Sequence, residues 1–227
     1  MLLHTSCFHS IITLQTNNTM VDNFKLIRDY LKFESEDDFY FLQILQRKKD
    51  GPGPNGVKIT GTNNKSRSIK TYCISSVEYL DKIEAEVKHL CDYFNARAMI
   101  ILSRRSYKKT ALLEMVQISN MIMEEQYKNV KSSYNSSCAK SKSLDKYFLI
   151  DIDEEDLEHK DLIKNYIQNE ARCNDVEYGK RILLELPTKH GCHLITTPFD
   201  IQGLLKVYSK NIHEFVHKDG PTVLYVP

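Results

Sequence analysis

Two aspartates, Asp151 and Asp153, have the type and spacing of metal-binding residues. They end a predicted strand with one residue between them, so strand alternation places both carboxylates on one side and Ile152 on the other. Two anions this close repel each other unless a cation joins them, and Mg²⁺ or Mn²⁺ prefers oxygen ligands. In the alternative interpretation, the pair only begins the acidic, solvated start of the next helix, since more acids follow.

A second candidate site is the turn that follows another predicted strand in the C-terminal half of the chain. Thr188, Lys189 and His190 lie in this turn, and together they would suit a phosphate group. His193 lies in the next strand beside the turn, where it is a candidate phosphate ligand. The alternative is a structural histidine, because a single histidine in a strand more often has a structural role.

Two arginines, Arg104 and Arg105, follow a short apolar run at 98–102. The run is typical of a buried strand, which would deliver both arginines at its exit. If this strand lies beside the strand of Asp151, either guanidinium could contact a phosphate through its planar fork. The alternative is a charged, solvated turn before a helix.

The elements that must position these residues are predicted from the spacing of apolar side chains. Helices are predicted at 24–31, 36–45, 76–94, 108–130 and 155–170, with another after Asp200, and strands at 98–102, 147–153, 181–186, 192–196 and 222–226. This order predicts an α/β (α+β) fold, with a mixed sheet of about five strands and flanking helices, preceded by a helical N-terminal part.

Four local expectations accompany this assignment. The GPGPNG stretch at 51–56 predicts an exposed loop, and 131–145, rich in Ser, Lys and Asn, predicts a mobile basic linker. The helix at 76–94 carries a continuous apolar stripe: Val77, Leu80, Ile83, Val87, Leu90 and Phe94. The helix at 108–130 is expected to face the core with Leu112, Met115, Val116, Ile122 and Met123.

Three segments are expected along the chain. Residues 1–19 contain no Lys or Arg, and Thr, Ser and His interrupt their apolar stretch, which argues against a signal peptide or membrane span. We expect them to be an extension outside the fold, with Met20 as the natural start. Residues 20–96 would form the helical N-terminal part, and residues 97–227 the α/β core.

The composition is that of an ordinary folded protein, with 41% hydrophobic and 27% charged residues. A net charge of +1 gives no overall attraction to nucleic acid, so such binding would need a local patch. The six cysteines are scattered without close pairs, which argues against a zinc ribbon and favours reduced thiols in the cytoplasm.

Two motifs of the C-terminal half resemble a known family. The strand Phe-Leu-Ile-Asp-Ile-Asp at 148–153 and the later Thr-Lys-His-Gly-Cys-His at 188–193 resemble the first two motifs of the archaeo-eukaryotic primase superfamily. The similarity is to the primase-polymerase palm domains of viruses and plasmids, and it covers about residues 98–227. The ending at 219–227 is weakly similar to the strand near the family's third motif.

The resemblance implies a role for each matched residue. Asp151 and Asp153 would bind catalytic Mg²⁺ or Mn²⁺, His193 would contact the phosphates of the incoming nucleotide, and a third acid would complete the metal site. The sequence departs from the family at that third position, where Glu214 and Asp219 are the nearest acids. Neither follows the family's hydrophobic-Asp pattern, which puts two-metal catalysis in doubt.

Three functions remain open from the sequence. The first is a primase-like nucleotidyltransferase, or a descendant of one, that binds a nucleoside triphosphate or nucleic acid and works in DNA replication in a phage or mobile element, with replication proteins as partners. Here His193 and Lys189 would hold phosphates, and Arg104 or Arg105 would neutralise charge. The alternatives are a non-catalytic nucleic-acid-binding or interaction protein, with the basic segment 128–146 as a weak grip, and a metal-dependent nuclease.

Overall fold

Two antiparallel β-sheets form the centre of the protein in the computed structural model, which describes residues 20–57, 65–171, 181–208 and 215–227. The strands are β1 (Val21–Asp22), β2 (Asp38–Arg47), β3 (Ser66–Ile74), β4 (Arg97–Ser106), β5 (Phe148–Asp153), β6 (Ile182–Thr188), β7 (Gly191–Thr196), β8 (Val216–Lys218) and β9 (Pro221–Val226). The helices are α1 (Phe24–Tyr30), α2 (Val77–Phe94), α3 (Tyr107–Met123), α4 (Val130–Lys140), α5 (Lys160–Asn165) and α6 (Ile201–Val207).

The sheet topology confirms the α+β class and refines its arrangement. One five-stranded sheet has the order β1-β9-β4-β2-β3, and one four-stranded sheet has the order β6-β7-β5-β8. Every pairing between these strands is antiparallel. Because β4 and β9 share a sheet with β1, β2 and β3, the expected boundary between residues 96 and 97 falls inside this sheet and does not separate two parts of the fold.

The predicted helix at 36–45 is wrong, because β2 occupies this segment. Both faces of the strand are covered: Tyr40, Leu42 and Ile44 point into the main core, whereas Phe39 and Phe41 pack into a smaller cluster on the other side. A strand buried on both faces has a nearly continuous apolar sequence, which periodicity alone does not distinguish from a buried helix. The N-terminal part is therefore not purely helical.

Helix α2 confirms the predicted apolar stripe. Its N-cap is Ser76, whose side chain accepts a hydrogen bond from the backbone N–H of Tyr79 at 3.1 Å. Leu80, Ile83 and Val87 are buried in the main core. The helix therefore covers one face of the five-stranded sheet, as an amphipathic helix should.

The expected inward face of α3 is wrong. Its apolar residues are 51–82% exposed: Leu112, Met115, Val116, Ile122 and Met123. The expected linker at 131–145 also differs, because α4 covers much of it and packs beside α3. Polar contacts join the two helices, since Glu114 accepts hydrogen bonds from the hydroxyls of Ser133 and Ser137.

This polar pairing explains why α4 was expected to be a linker. A helix that pairs through serine hydroxyls carries a weak apolar period, so composition alone suggests a linker. Within the described part of the chain, no helix is long and apolar enough to cross a membrane.

Replacement of Leu80 by Ala should lower the free energy of unfolding by about 2–5 kcal/mol, because Leu80 is fully buried and its truncation leaves a cavity. Leu112→Ala removes the same atoms from a side chain that is 56% exposed, so its effect should stay within about 0.5 kcal/mol. Urea unfolding of both variants measures the difference. Equal effects would show that α2 does not pack on the core.

Candidate functional site

A cleft of about 870 Å³ lies between the two sheets. Strands β4 and β9 contribute its apolar residues Met99, Pro221 and Val223, and β5 contributes Leu149. The cleft is within the usual size range of small-molecule sites. Polar residues of the four-stranded sheet and of the loops around β2 and β4 complete its walls.

Asp151 and Asp153 both line this cleft. The other face of β5 carries Ile150 and Ile152, which are fully buried in the second core cluster. Strand alternation therefore places the two carboxylates on the cleft side, as the sequence predicts. Leu149, on the same face, belongs to the main core, so this face changes from apolar to acidic toward the end of the strand.

Asp153 also belongs to a second group of acids. Its carboxylate lies within 4.8 Å of ligand atoms of Glu155 and Asp156, which follow in a short helical turn at Glu154–His159. Asp156 accepts a hydrogen bond from the hydroxyl of Tyr208. The acidic segment after β5 therefore begins a helical segment that continues into α5, and Glu154 and Glu155 in its first turn are exposed, as the alternative interpretation of the acidic pair predicts.

His193 lies directly across from Asp151, because the two residues are register partners between β7 and β5. Its Nε2 is 3.3 Å from Oδ1 of Asp151. Its Nδ1 is 2.8 Å from Oγ1 of Thr222, a fully buried residue of β9 in the other sheet. The imidazole is only 8% exposed. His193 therefore connects the two sheets at the base of the cleft.

The turn between β6 and β7 brings Thr188, Lys189 and His190 to the cleft wall. Gly191 makes this approach possible, since a Cβ atom there would lie 1.9 Å from the carbonyl oxygen of Ile152. The backbone of the hairpin therefore packs directly on β5, and a side chain at residue 191 would push them apart.

Basic side chains outnumber acids along the cleft. Arg47, Lys49, Arg97, Lys189 and Lys218 line it, against Asp151 and Asp153. Its walls also carry two histidines besides His193, His190 and His217. The cleft therefore combines an acidic pair with a larger basic surface.

Asp50 holds two of these cations in place. Arg47 donates to it at 2.8 and 2.8 Å, and Arg97 at 3.1 and 3.0 Å. Burial raises the pKa of Asp50, but the hydrogen bonds and charges of both guanidinium groups outweigh this and lower it to about 2. The carboxylate therefore stays ionised at neutral pH and fixes both arginines at the rim.

The sequence did not predict that five basic residues meet at the cleft; these residues are called the basic rim below. Arg47 and Lys49 come from the end of β2 and the turn after it, and Arg97 starts β4. They meet because β2 and β4 are neighbours, with Leu45 paired to Arg97. Lys218 ends β8, opposite Phe148. The local sequence carries no signal of these pairings.

Arg104 and Arg105 are not at the cleft, which corrects the expectation that they contact phosphate there. Strand β4 continues to Ser106, so both lie within a strand and are buried. Arg104 pairs with Asp38 and Asp145, at 3.1 and 2.8 Å. Their guanidinium groups therefore have structural partners.

The third acid is also engaged elsewhere. Asp219, in the turn between β8 and β9, accepts a hydrogen bond from Arg105 at 2.7 Å and another from Ser103. It is not among the residues that line the cleft. Glu214, the other expected acid, lies outside the described residues. Among the described residues, therefore, Asp219 does not complete a metal site with Asp151.

Replacement of Arg105 by Met should lower the free energy of unfolding by about 1.5–3 kcal/mol, because Asp219 loses a charged hydrogen-bond donor inside the fold. Lys218→Met removes a cation from the exposed cleft rim and should change stability by less than about 0.5 kcal/mol. Urea unfolding measures both. A stable Arg105→Met protein that fails to bind triphosphate would contradict the structural role.

No protein-family model matches this sequence, and neither the curated proteins nor the solved structures that were compared with it contain a match.

Proposed function

We propose that the cleft binds phosphate groups of a nucleoside triphosphate or nucleic acid together with a divalent cation, and that the protein is a primase-like nucleotidyltransferase or a descendant of one. The observation that carries this proposal is the acidic pair Asp151 and Asp153 inside a cleft with a mainly basic rim.

The charge pattern supports a ligand that contains both phosphate and metal. A basic cleft attracts polyphosphate, whereas two carboxylates at its base would repel the same anion. A divalent cation between them removes this repulsion, because it accepts carboxylate oxygens on one side and phosphate oxygens on the other. Both carboxylates face the cleft from one side of β5, which supports such an ion.

The basic residues have distinct roles under this proposal. Lys189, beside Thr188 on the hairpin turn, and Lys218, at the end of β8, would contact phosphate oxygens as point charges. Arg97 would contribute a more rigid charge, because Asp50 already fixes its guanidinium. Such prepositioned charge stabilises a phosphoryl group without reorganisation.

Nucleotidyl transfer is the reaction that the resemblance and this charge pattern support. A hydroxyl loses its proton to solvent and its oxygen attacks the α-phosphorus. A new phosphodiester bond forms, the bond from the α-phosphorus to the bridging oxygen of the β-phosphate breaks, and pyrophosphate leaves. The bound cation would supply charge neutralisation at the phosphate. Lys189, Lys218 and Arg97 would neutralise the remaining charge on the leaving pyrophosphate.

A non-catalytic binding protein is the second candidate, and one observation favours it. Asp219 is paired with Arg105 and is not among the residues that line the cleft. The described cleft therefore offers two aspartates, where the resemblance implies three acids. In this case the same residues would bind nucleotide or nucleic acid without turnover.

Mn²⁺ or Mg²⁺ should raise the melting temperature of the wild-type protein, and the Asp151→Asn, Asp153→Asn double variant should lose this response. The reason is mass action: a cation that binds only the folded state stabilises it, by about 2.7 kcal/mol at a concentration of one hundred times Kd. Differential scanning fluorimetry measures the shift. An equal shift in both proteins would place the cation elsewhere.

Lys189→Ala and Lys218→Ala should each weaken binding of a nucleoside triphosphate about tenfold in the presence of Mg²⁺, since each removes a charged hydrogen bond of about 1.5 kcal/mol. The loss should shrink at high salt, because exposed charges are screened. Lys82→Ala, an exposed change on α2 away from the cleft, is the matched control and should leave affinity unchanged. Isothermal titration calorimetry measures all three.

A primer-extension assay with labelled nucleotides then separates the two candidates. Incorporation by the wild-type protein, lost in Asp151→Asn, supports nucleotidyl transfer. Tight binding without incorporation supports the binding protein. Absence of triphosphate and nucleic-acid binding in the wild-type protein would reject both.

A further inference from the structure

Asp151 and His193 present an oxygen and a nitrogen at the spacing of two ligands on one metal ion. Their Oδ1 and Nε2 atoms are 3.3 Å apart. This is longer than a typical N–H···O hydrogen bond, about 2.9–3.0 Å. It matches the separation of two ligands on a tetrahedral ion, which is about 3.3–3.4 Å for metal–ligand distances of about 2.0–2.1 Å. Cross-strand pairing sets this spacing, because the residues are direct partners between β5 and β7.

The other ring nitrogen of His193, Nδ1, is hydrogen-bonded to Thr222. Its Oγ1 lies 2.8 Å from Nδ1, and Thr222 itself is fully buried in β9 of the other sheet. When the hydroxyl accepts from Nδ1–H, Nε2 keeps a lone pair directed at the side where Asp151 lies. Metal-binding histidines commonly have such a partner on the distal nitrogen, which fixes both the tautomer and the ring orientation.

We propose that Asp151 and His193 together bind one divalent transition-metal ion, with His193 as a ligand through Nε2 and Thr222 as the residue that positions it. The inference rests on the proposed function, because it concerns the cation of the same cleft. Under this inference His193 is a metal ligand, whereas the resemblance implies that it contacts phosphate.

An imidazole ligand determines which cations the site prefers. Mg²⁺ is held mainly by oxygen ligands and water. Imidazole nitrogen binds zinc and other first-row transition ions well, and Zn²⁺ exceeds Mn²⁺ in affinity at a given mixed site. The site should therefore prefer Mn²⁺ and Zn²⁺ over Mg²⁺, and the nitrogen of His193 should account for most of that preference.

The test uses the full chain with Mn²⁺ as the probe. Calorimetric titration should show that His193→Gln weakens Mn²⁺ binding at least about tenfold and Mg²⁺ binding less than about threefold. Pulsed EPR of bound Mn²⁺ should show modulation from a coordinated imidazole nitrogen in the wild-type protein and none in His193→Gln. Thr222→Val should weaken Mn²⁺ binding about tenfold through its effect on ring orientation.

His89→Gln is the matched control, because His89 is an exposed histidine on α2 outside the cleft. It should keep both the Mn²⁺ affinity and the nitrogen signal. If His193→Gln fails to fold, the wild-type EPR spectrum and Thr222→Val still decide the matter.

Mn²⁺ binding to the wild-type protein without a nitrogen signal would overturn the inference. The proposed function would still hold in that case if the protein binds triphosphate with Mg²⁺ and if this binding depends on Lys189. Failure of the proposed function is a different result: no triphosphate or nucleic-acid binding with any cation, whatever the spectrum of Mn²⁺.

Discussion

The position of the site depends on Tyr147, which joins the two sheets just before β5. Its hydroxyl accepts a hydrogen bond from the backbone N–H of Leu102 at 3.1 Å and donates one to the carbonyl of Gly220 at 2.7 Å. The ring is almost completely buried, and burial raises the pKa of the phenol, so the hydroxyl keeps its proton and both bonds. A buried polar group with both bonds satisfied holds its neighbours in one arrangement.

The same face of β5 then leads from this contact to the cleft. Leu149, two residues after Tyr147, is packed in the shared core of the two sheets. Asp151 and Asp153 follow on the same side, beyond the point where the core ends. The cleft thus opens where the core that the two sheets share ends.

The sequence predicts those features that depend on neighbours along the chain. The stripe of α2 and the shared face of Asp151 and Asp153 both follow from local periodicity, and both are present. The strand β2 was predicted as a helix, because burial of Phe39 and Phe41 opposite the main core removes the alternation that marks a strand. The secondary structure of that segment is set by tertiary packing and not by its local sequence pattern.

In the candidate site, too, features set by neighbours along the chain could be predicted, and features set by tertiary pairing could not. The position of His193 opposite Asp151 depends on the pairing of β7 with β5, which the sequence did not predict. The hairpin turn with Lys189 could be anticipated from a short stretch of sequence. The basic rim could not, since Arg97 reaches the cleft through sheet pairing with β2. The burial of Arg105 was equally hidden, because its partner Asp219 is more than one hundred residues away.

The pairing of β1 with β9 bears on the order in which the protein is made and folded. Val21 lies opposite Val226, so strands from the two ends of the described chain are adjacent in one sheet. Contacts between residues so distant in sequence carry a large loop-closure cost and slow folding. During synthesis, β4 has no partner on the β9 side until residues 221–226 have been made. An unpaired strand edge is open to strands of other chains, so β9 also closes an edge of β4 that would otherwise favour aggregation.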